Sequence, residues 1–200
     1  MDEKVKKIKS WLGSGSINIF GLPMSGKDTV GKRLAETLGA EFLSSGDIIR
    51  AYEAKQNEHM TESGELIPTN KFYDIVLPHF YTEELIDRPL VLSSIGRWEG
   101  EEDEVMKHTS KSGHEIKAVI YLNLSEDGAR KRWNVAKELG DRGMRGDDAD
   151  PKVFETRIEE FNEKTIPVLK HYDKLNLLFT IDADGSRDEV FERVLEALAK

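Results

Sequence analysis

The sequence contains no cysteine, which excludes disulfides, thiolate zinc sites and cysteine nucleophiles. No apolar run approaches the roughly 18 residues that a membrane-spanning helix needs. The first residues, MDEKVKKIKSWLGSGS, are charged and carry no apolar core of the kind that marks a secretory signal. Basic residues are in deficit as well. There are 29 Lys plus Arg against 38 Asp plus Glu, a formal net charge of −9. Sequence-independent nucleic-acid binding needs a basic surface to displace counterions, so the balance argues against that class. These absences lead to the expectation of a cytoplasmic protein with no nucleic-acid and no membrane partner.

What is present suits one globular domain. Two hundred residues fit a single domain at about 150 residues each. Hydrophobic residues make up 38% and charged residues 34%, enough apolar material for a core under a charged surface. Val5, Ile8, Trp11 and Leu12 recur at helical spacing between lysines, which predicts a short amphipathic helix packed on the domain. A membrane-surface role is the weaker reading, because the segment is short and the chain acidic. The Gly-Ser-Gly-Ser run at 13–16 ends it.

Five short apolar runs follow, at 17–20, 41–44, 90–93, 118–122 and 177–181, with longer helical patterns between them such as 31–38 and 153–172. Strands alternating with helices predict a parallel sheet covered on both faces. The stretches 46–85 and 130–150 fit that alternation poorly and read as insertions on one core. No internal repeat interrupts the pattern.

The first run leads into GLPMSGKDTV and then a helix, so Gly21, Gly26 and Lys27 satisfy G-x-x-x-x-G-K in the strand–turn–helix setting that motif requires. The physics is anion binding: loop and helix N-terminal N–H groups converge, the helix dipole adds partial positive charge, and Lys27 adds a full one. Asp28 stands where the strict motif has Ser or Thr, and Thr29 follows.

Taken with three further motif segments, this loop resembles that of adenylate kinases and related nucleoside monophosphate kinases. Gly21, Pro23, Gly26, Lys27 and Thr29 match G-x-P-x-x-G-K-x-T. Ser44, Ser45, Gly46, Asp47 and Arg50 resemble T-G-D-x-L-R, and the run at 63–68, SGELIP, is similar to the segment whose backbone lines the acceptor base. Arg145, Asp147, Asp148, Arg157, Thr165 and Pro167 resemble the R-x-D-D, R and T-x-P run after the lid. The resemblance covers about residues 17–199 and rests on the order of these motifs.

It implies an α/β fold: a three-layer α/β/α P-loop NTPase with a five-stranded parallel sheet. Residues 1–200 would form one kinase domain, with an insert for the nucleoside monophosphate at 44–80 and a short lid at 130–146. It implies ATP and AMP as substrates, two ADP as products, Mg2+ as cofactor and a monomer. Met24, Ser25, Gly26, Lys27, Asp28, Thr29 and Arg132 would bind ATP. Ser45, Arg50, Glu65, Leu66, Ile67, Ser94, Arg97, Glu101, Arg145 and Arg157 would bind the acceptor. Lys27, Arg97, Arg132, Arg145 and Arg157 would carry catalysis, because phosphoryl transfer is mostly positioning and neutralisation of charge and arginine matches phosphate oxygens bidentately. Thr29 would hold the metal directly, and Asp28 and Asp47 through water. Arg142 aligns less well, and Arg130 reads as a surface residue.

The sequence departs from the family in two places. The third strand should end in an aspartate that orders magnesium-bound water, and Ser93 stands there instead. Asp28, an added carboxylate beside Thr29, is placed to substitute for it. The adenine-reading glutamine falls at Glu101, which as an ionised carboxylate only accepts hydrogen bonds. Were it to face the base it would favour guanine, whose N1–H and N2 amine both donate; a solvated Glu101 is the expectation carried forward. Ser45 keeps the hydroxyl of adenylate kinases where pyrimidine-specific relatives tend to alanine, which favours a purine. AMP is therefore expected, with GMP, then CMP or UMP, as alternatives. A weakly catalytic module that senses nucleotides by closing is the alternative from another class; the retained lysine and arginines argue against it.

Overall fold

The computed structural model describes residues 3–139 and 150–200. Within them the chain runs α1 (Glu3–Leu12), β1 (Ser16–Gly21), α2 (Lys27–Leu38), β2 (Glu41–Ser44), α3 (Ser45–Gln56) and α4 (Thr69–Val76). After two short 3₁₀ turns it continues as β3 (Leu90–Ser93), α5 (Glu101–Lys111), β4 (Ile116–Asn123), α6 (Glu126–Leu139), α7 (Pro151–Glu160), α8 (Ile166–Lys174), β5 (Leu178–Asp182) and α9 (Arg187–Leu198). The five strands pair in parallel in the order β2-β3-β1-β4-β5. This is the expected P-loop α/β/α architecture, and each expected apolar run forms a strand. β1 is buried along its whole length, which is why 17–20 reads as a continuous apolar run rather than an alternating one.

The chain order fixes where a ligand can sit. β1 lies mid-sheet between β3 and β4, and the connections on its two sides diverge at its carboxyl end. Open parallel sheets bind ligands at such a switch point. The register brings Ile19 beside Ser93, so the end of β3 lies next to the loop that follows β1.

Local signals set the helix ends. Gly26, at φ 92°, adopts the left-handed backbone that turns the loop into α2, and Gly39 ends that helix at φ 70°. Ser186 and Glu189 form a reciprocal capping box at the start of α9. The single helix expected over 153–172 is instead two α-helices joined by a π-helical turn at Phe161–Thr165. Pro167, just beyond, lacks an N–H and its ring crowds the carbonyl four residues back, so the preceding turn widens. The N-terminal helix α1 docks as expected: Val5, Ile8 and Leu12 are buried, and Trp11 Nε1 donates to Leu198 O at 3.0 Å.

Of the expected insert at 44–80, the structure makes α3, a loop, α4 and the start of a 3₁₀ turn. Of the expected lid at 130–146, residues 130–139 are the later part of α6, whose Ala129, Trp133 and Ala136 are buried. Trp133 stacks on Phe154 of α7 at 5.2 Å. Residues 140–146 lie outside the described part. No helix among the described residues is long and apolar enough to cross a membrane.

Candidate active site

The loop between β1 and α2 forms the floor of a cleft with a volume of about 800 Å³. Gly21 is required there, because a Cβ would meet Ser25 Oγ at 2.6 Å and Leu122 O at 2.8 Å. Met24 holds a left-handed φ of 63°, which a non-glycine residue adopts at some cost. Ser25 is buried, and its hydroxyl has no hydrogen-bond partner among the described residues. An orphaned hydroxyl in a ring of loop amides suits an incoming phosphate oxygen. Lys27 Nζ donates to Leu22 O at 3.0 Å, so its charge lies folded along the loop. Arg132, on α6, reaches Met24 O at 3.3 Å and Ser25 O at 3.4 Å with one nitrogen and Ala183 O at 2.6 Å with the other. It thereby joins the phosphate loop to the segment after β5.

Asp28 and Ser93 meet at this floor. The Ser93 hydroxyl donates to Asp28 Oδ1 at 2.8 Å. Parallel pairing of β1 with β3 brings them together, 65 residues apart in sequence. The residue that stands where an aspartate was expected thus hydrogen-bonds to the added carboxylate. With the Thr29 hydroxyl on the same cleft wall, the available donors are all oxygen, the set a hard cation such as Mg2+ prefers. No group of three or more carboxylate or imidazole side chains that could hold a metal occurs among the described residues.

The opposite wall comes from α3, the loop before α4, and the turn after β3. Ser44 caps α3 by accepting from Asp47 N. The Ser45 hydroxyl donates to Ser94 O at 2.8 Å, tying α3 to the end of β3. Ser94 and Gly96 have φ of 54° and 78°, and the turn they form is clamped by Asn18, whose side chain donates to Ile95 O at 2.7 Å. Arg97 leaves this turn into the cleft. Burial and then the charge of Arg157 depress its guanidinium to about 10, with Glu160 and Glu101 opposing. A cationic pair held at such a cost marks a place prepared for an anion.

Glu101 corrects one expectation. It is 2% exposed rather than solvated. Its Oε2 accepts the backbone N–H groups of Arg97 and Trp98 at 2.9 and 3.1 Å, and its Oε1 accepts from the Thr69 hydroxyl at 2.8 Å. The tight turn leaves those two amides without a ladder partner, and the first residue of α5 folds back to supply one. Burial raises the Glu101 pKa, and these hydrogen bonds oppose the rise.

The cleft gathers most of the candidate residues. Met24, Ser25, Gly26, Lys27, Asp28, Thr29, Ser45, Arg50, Glu65, Leu66, Ile67, Ser94, Arg97, Glu101, Arg132 and Arg157 all line it. Asp47 does not: its carboxylate pairs with Arg50, three residues on along α3, and is half exposed. Arg145 and Arg142 lie outside the described residues. Arg130 is a surface residue as expected, paired with Glu126 and Glu155. Sequence reasoning missed Thr61, Trp98 and Lys131 among the lining. Nothing local in the sequence marked them.

Comparison with known proteins agrees with this geometry. A family model described as an AAA domain matches residues 20–153. The chain is 33% identical to an adenylate kinase of Schistosoma mansoni, over 100% of this chain and 97% of that protein. It is 27% identical to an adenylate kinase of Thermus thermophilus, over 92% and 96%. A UMP-CMP kinase of Lentinula edodes is 28% identical over 92% of this chain and 85% of its own length.

Proposed function

The chain belongs to the adenylate kinase and nucleoside monophosphate kinase family of P-loop phosphotransferases, and on that premise we propose that its acceptor is AMP, converted with ATP into two ADP in a reversible, magnesium-dependent reaction. ATP phosphates occupy the loop around Ser25 to Thr29. Lys27 leaves Leu22 O for the β- and γ-phosphates, and Arg132 flanks the donor nucleotide. Arg50 and Arg97 hold the acceptor phosphate, and Arg157 and Arg145 neutralise charge between the two nucleotides. An acceptor phosphate oxygen attacks the γ-phosphorus in line as the bond to the β–γ bridging oxygen breaks. Thr29 would hold Mg2+ directly and Asp28 through water, its carboxylate oriented by Ser93; the cation supplies neutralisation of the β- and γ-oxygens. Closure over the cleft excludes water as a competing acceptor. The protein acts as a cytoplasmic monomer in this reading.

The observation that carries AMP is the accounting at Glu101. A carboxylate has about four acceptor positions. Two N–H groups occupy Oε2 and one hydroxyl occupies Oε1. One position remains, which matches one N–H of the adenine 6-amino group. Guanine offers two donors for that single acceptor, so the argument for GMP weakens once Glu101 is committed. Hypoxanthine carries a carbonyl where adenine has its amino group, and uracil carries one where cytosine has its own, so each sets that oxygen against the carboxylate beside its ring N–H. Cytosine carries an amino group, and CMP is the second reading; the Ser45 hydroxyl favours the purine.

The test is kcat/KM for AMP, GMP, CMP, UMP and IMP with ATP. IMP replaces the amino donor by a carbonyl. Losing one charge-assisted hydrogen bond costs about 1.5–3 kcal/mol, so AMP should exceed IMP by roughly 10–100-fold. Equal values for the two, or GMP ahead of AMP, would overturn the assignment.

A further inference from the structure

Behind the acceptor wall lies a buried charge cluster that phosphoryl transfer leaves without a task. Glu160, the last residue of α7, is 8% exposed. Its Oε2 accepts the backbone N–H of Leu66 at 2.9 Å, 94 residues away in sequence. Lys164 Nζ, across the π-helical turn, lies 2.6 Å from the same carboxylate and 4.1 Å from the centre of the Trp98 ring. Glu160 also acts through space on Arg97, against the depression caused by burial and Arg157.

One carboxylate therefore connects three parts of the cleft: the loop at 64–67, the turn carrying Arg97 and Trp98, and the helix carrying Arg157. The loop has a second attachment to that helix. Gly64, at φ 83°, sits so close that a Cβ there would lie 2.7 Å from Val153 O. The Leu66 N–H is in a segment with no ladder to satisfy it, and a charged acceptor makes the stronger kind of bond. A buried carboxylate is tolerated only when paired, and Lys164 pairs it.

We propose that Glu160 is a positioning residue for the acceptor nucleotide: through the Leu66 N–H, and through Lys164 on Trp98, it fixes the base-lining loop relative to Arg97 and Arg157. The inference rests on assigning this wall to the acceptor. The loop then moves with α7 and does not swing on its own, and base and phosphate of the acceptor are held at one spacing.

The test compares Glu160→Ala with Glu160→Gln, which keeps an acceptor oxygen for Leu66. Two readouts are taken: amide hydrogen exchange at Leu66 without ligand, and steady-state constants for AMP and ATP. In Glu160→Ala the Leu66 amide should exchange roughly tenfold faster, the equivalent of about 1.4 kcal/mol, and the KM for AMP should rise about as much. The KM for ATP should stay within about threefold, and Glu160→Gln should restore both readouts. Unchanged Leu66 exchange in the alanine variant overturns the proposal. So does a parallel rise in both KM values, the mark of general destabilisation, or a glutamine variant as impaired as the alanine one. If the unaltered protein does not turn over AMP while Leu66 responds as stated, the acceptor assignment fails and the anchor is upheld.

Discussion

Replacing Arg97 by methionine should make the free protein more stable while abolishing acceptor binding. The structure supplies the magnitude. The Arg97 guanidinium sits at about 10, well below its ordinary value, first because it is buried and second because Arg157 is beside it. A depression of that size corresponds to roughly 3 kcal/mol as an upper value. The side chain is partly open to the cleft, so solvent screening reduces this to about 1–3 kcal/mol. The sign follows from linkage. The folded state holds this proton less firmly than the unfolded chain, so the cost is fully present below about pH 10 and is relieved only as pH rises towards the unfolded value. At neutral pH the whole cost is therefore carried. Methionine keeps an unbranched stem of adaptable shape and removes the charge. For a domain of this size 1 kcal/mol shifts Tm by about 2–4 °C, so Arg97→Met should melt roughly 2–12 °C higher. Thermal unfolding at pH 7, with and without AMP, is the assay. AMP at about 100 times its Kd should stabilise the unaltered protein by about 2.7 kcal/mol and the variant hardly at all. A variant with a normal circular dichroism spectrum that melts no higher, or that AMP still stabilises fully, would refute the reasoning.

Three further outcomes are expected. Lys27→Ala should lower turnover by several orders of magnitude with an unchanged circular dichroism spectrum, since it removes the charge that reaches the transferring phosphate; near-normal turnover would show the phosphate loop to be misassigned. Asp28→Gly should raise the Mg2+ concentration for half activity, and should weaken Mn2+ binding to the nucleotide complex as read by electron paramagnetic resonance, with Ser93→Asp reversing both in that background; an unaltered metal dependence would count against Asp28. Gly31→Ala, although it raises helix propensity, should cost about 1–3 kcal/mol by overpacking, because the new Cβ would lie 2.5 Å from the Phe42 ring; a chemical-denaturation midpoint at or above that of the unaltered protein would contradict that packing.

The sequence alone determined what is built from neighbours along the chain. The phosphate loop is legible because its strand, its turn and its helix start lie within a dozen residues, and Gly21 and Gly26 answer local demands of backbone geometry. The five strands are legible because a parallel sheet covered on both faces turns each one into an apolar run. The tertiary structure decided the rest, because it rests on pairs distant in sequence that only strand order and helix docking bring together. The pairing of β1 with β3 set Ser93 against Asp28, across 65 residues. The turn after β3 folded Glu101 inward against Thr69, where the sequence alone leads to the expectation of a solvated side chain. Asp47 matched a motif by spacing, yet its carboxylate pairs with Arg50 and Asp47 itself does not line the cavity. No motif singled out Glu160; docking of α7 on the loop at 64–67 gave it a backbone amide to hold. A burial or a hydrogen bond of that kind depends on which surfaces meet, and periodicity along one element carries no information about its partner.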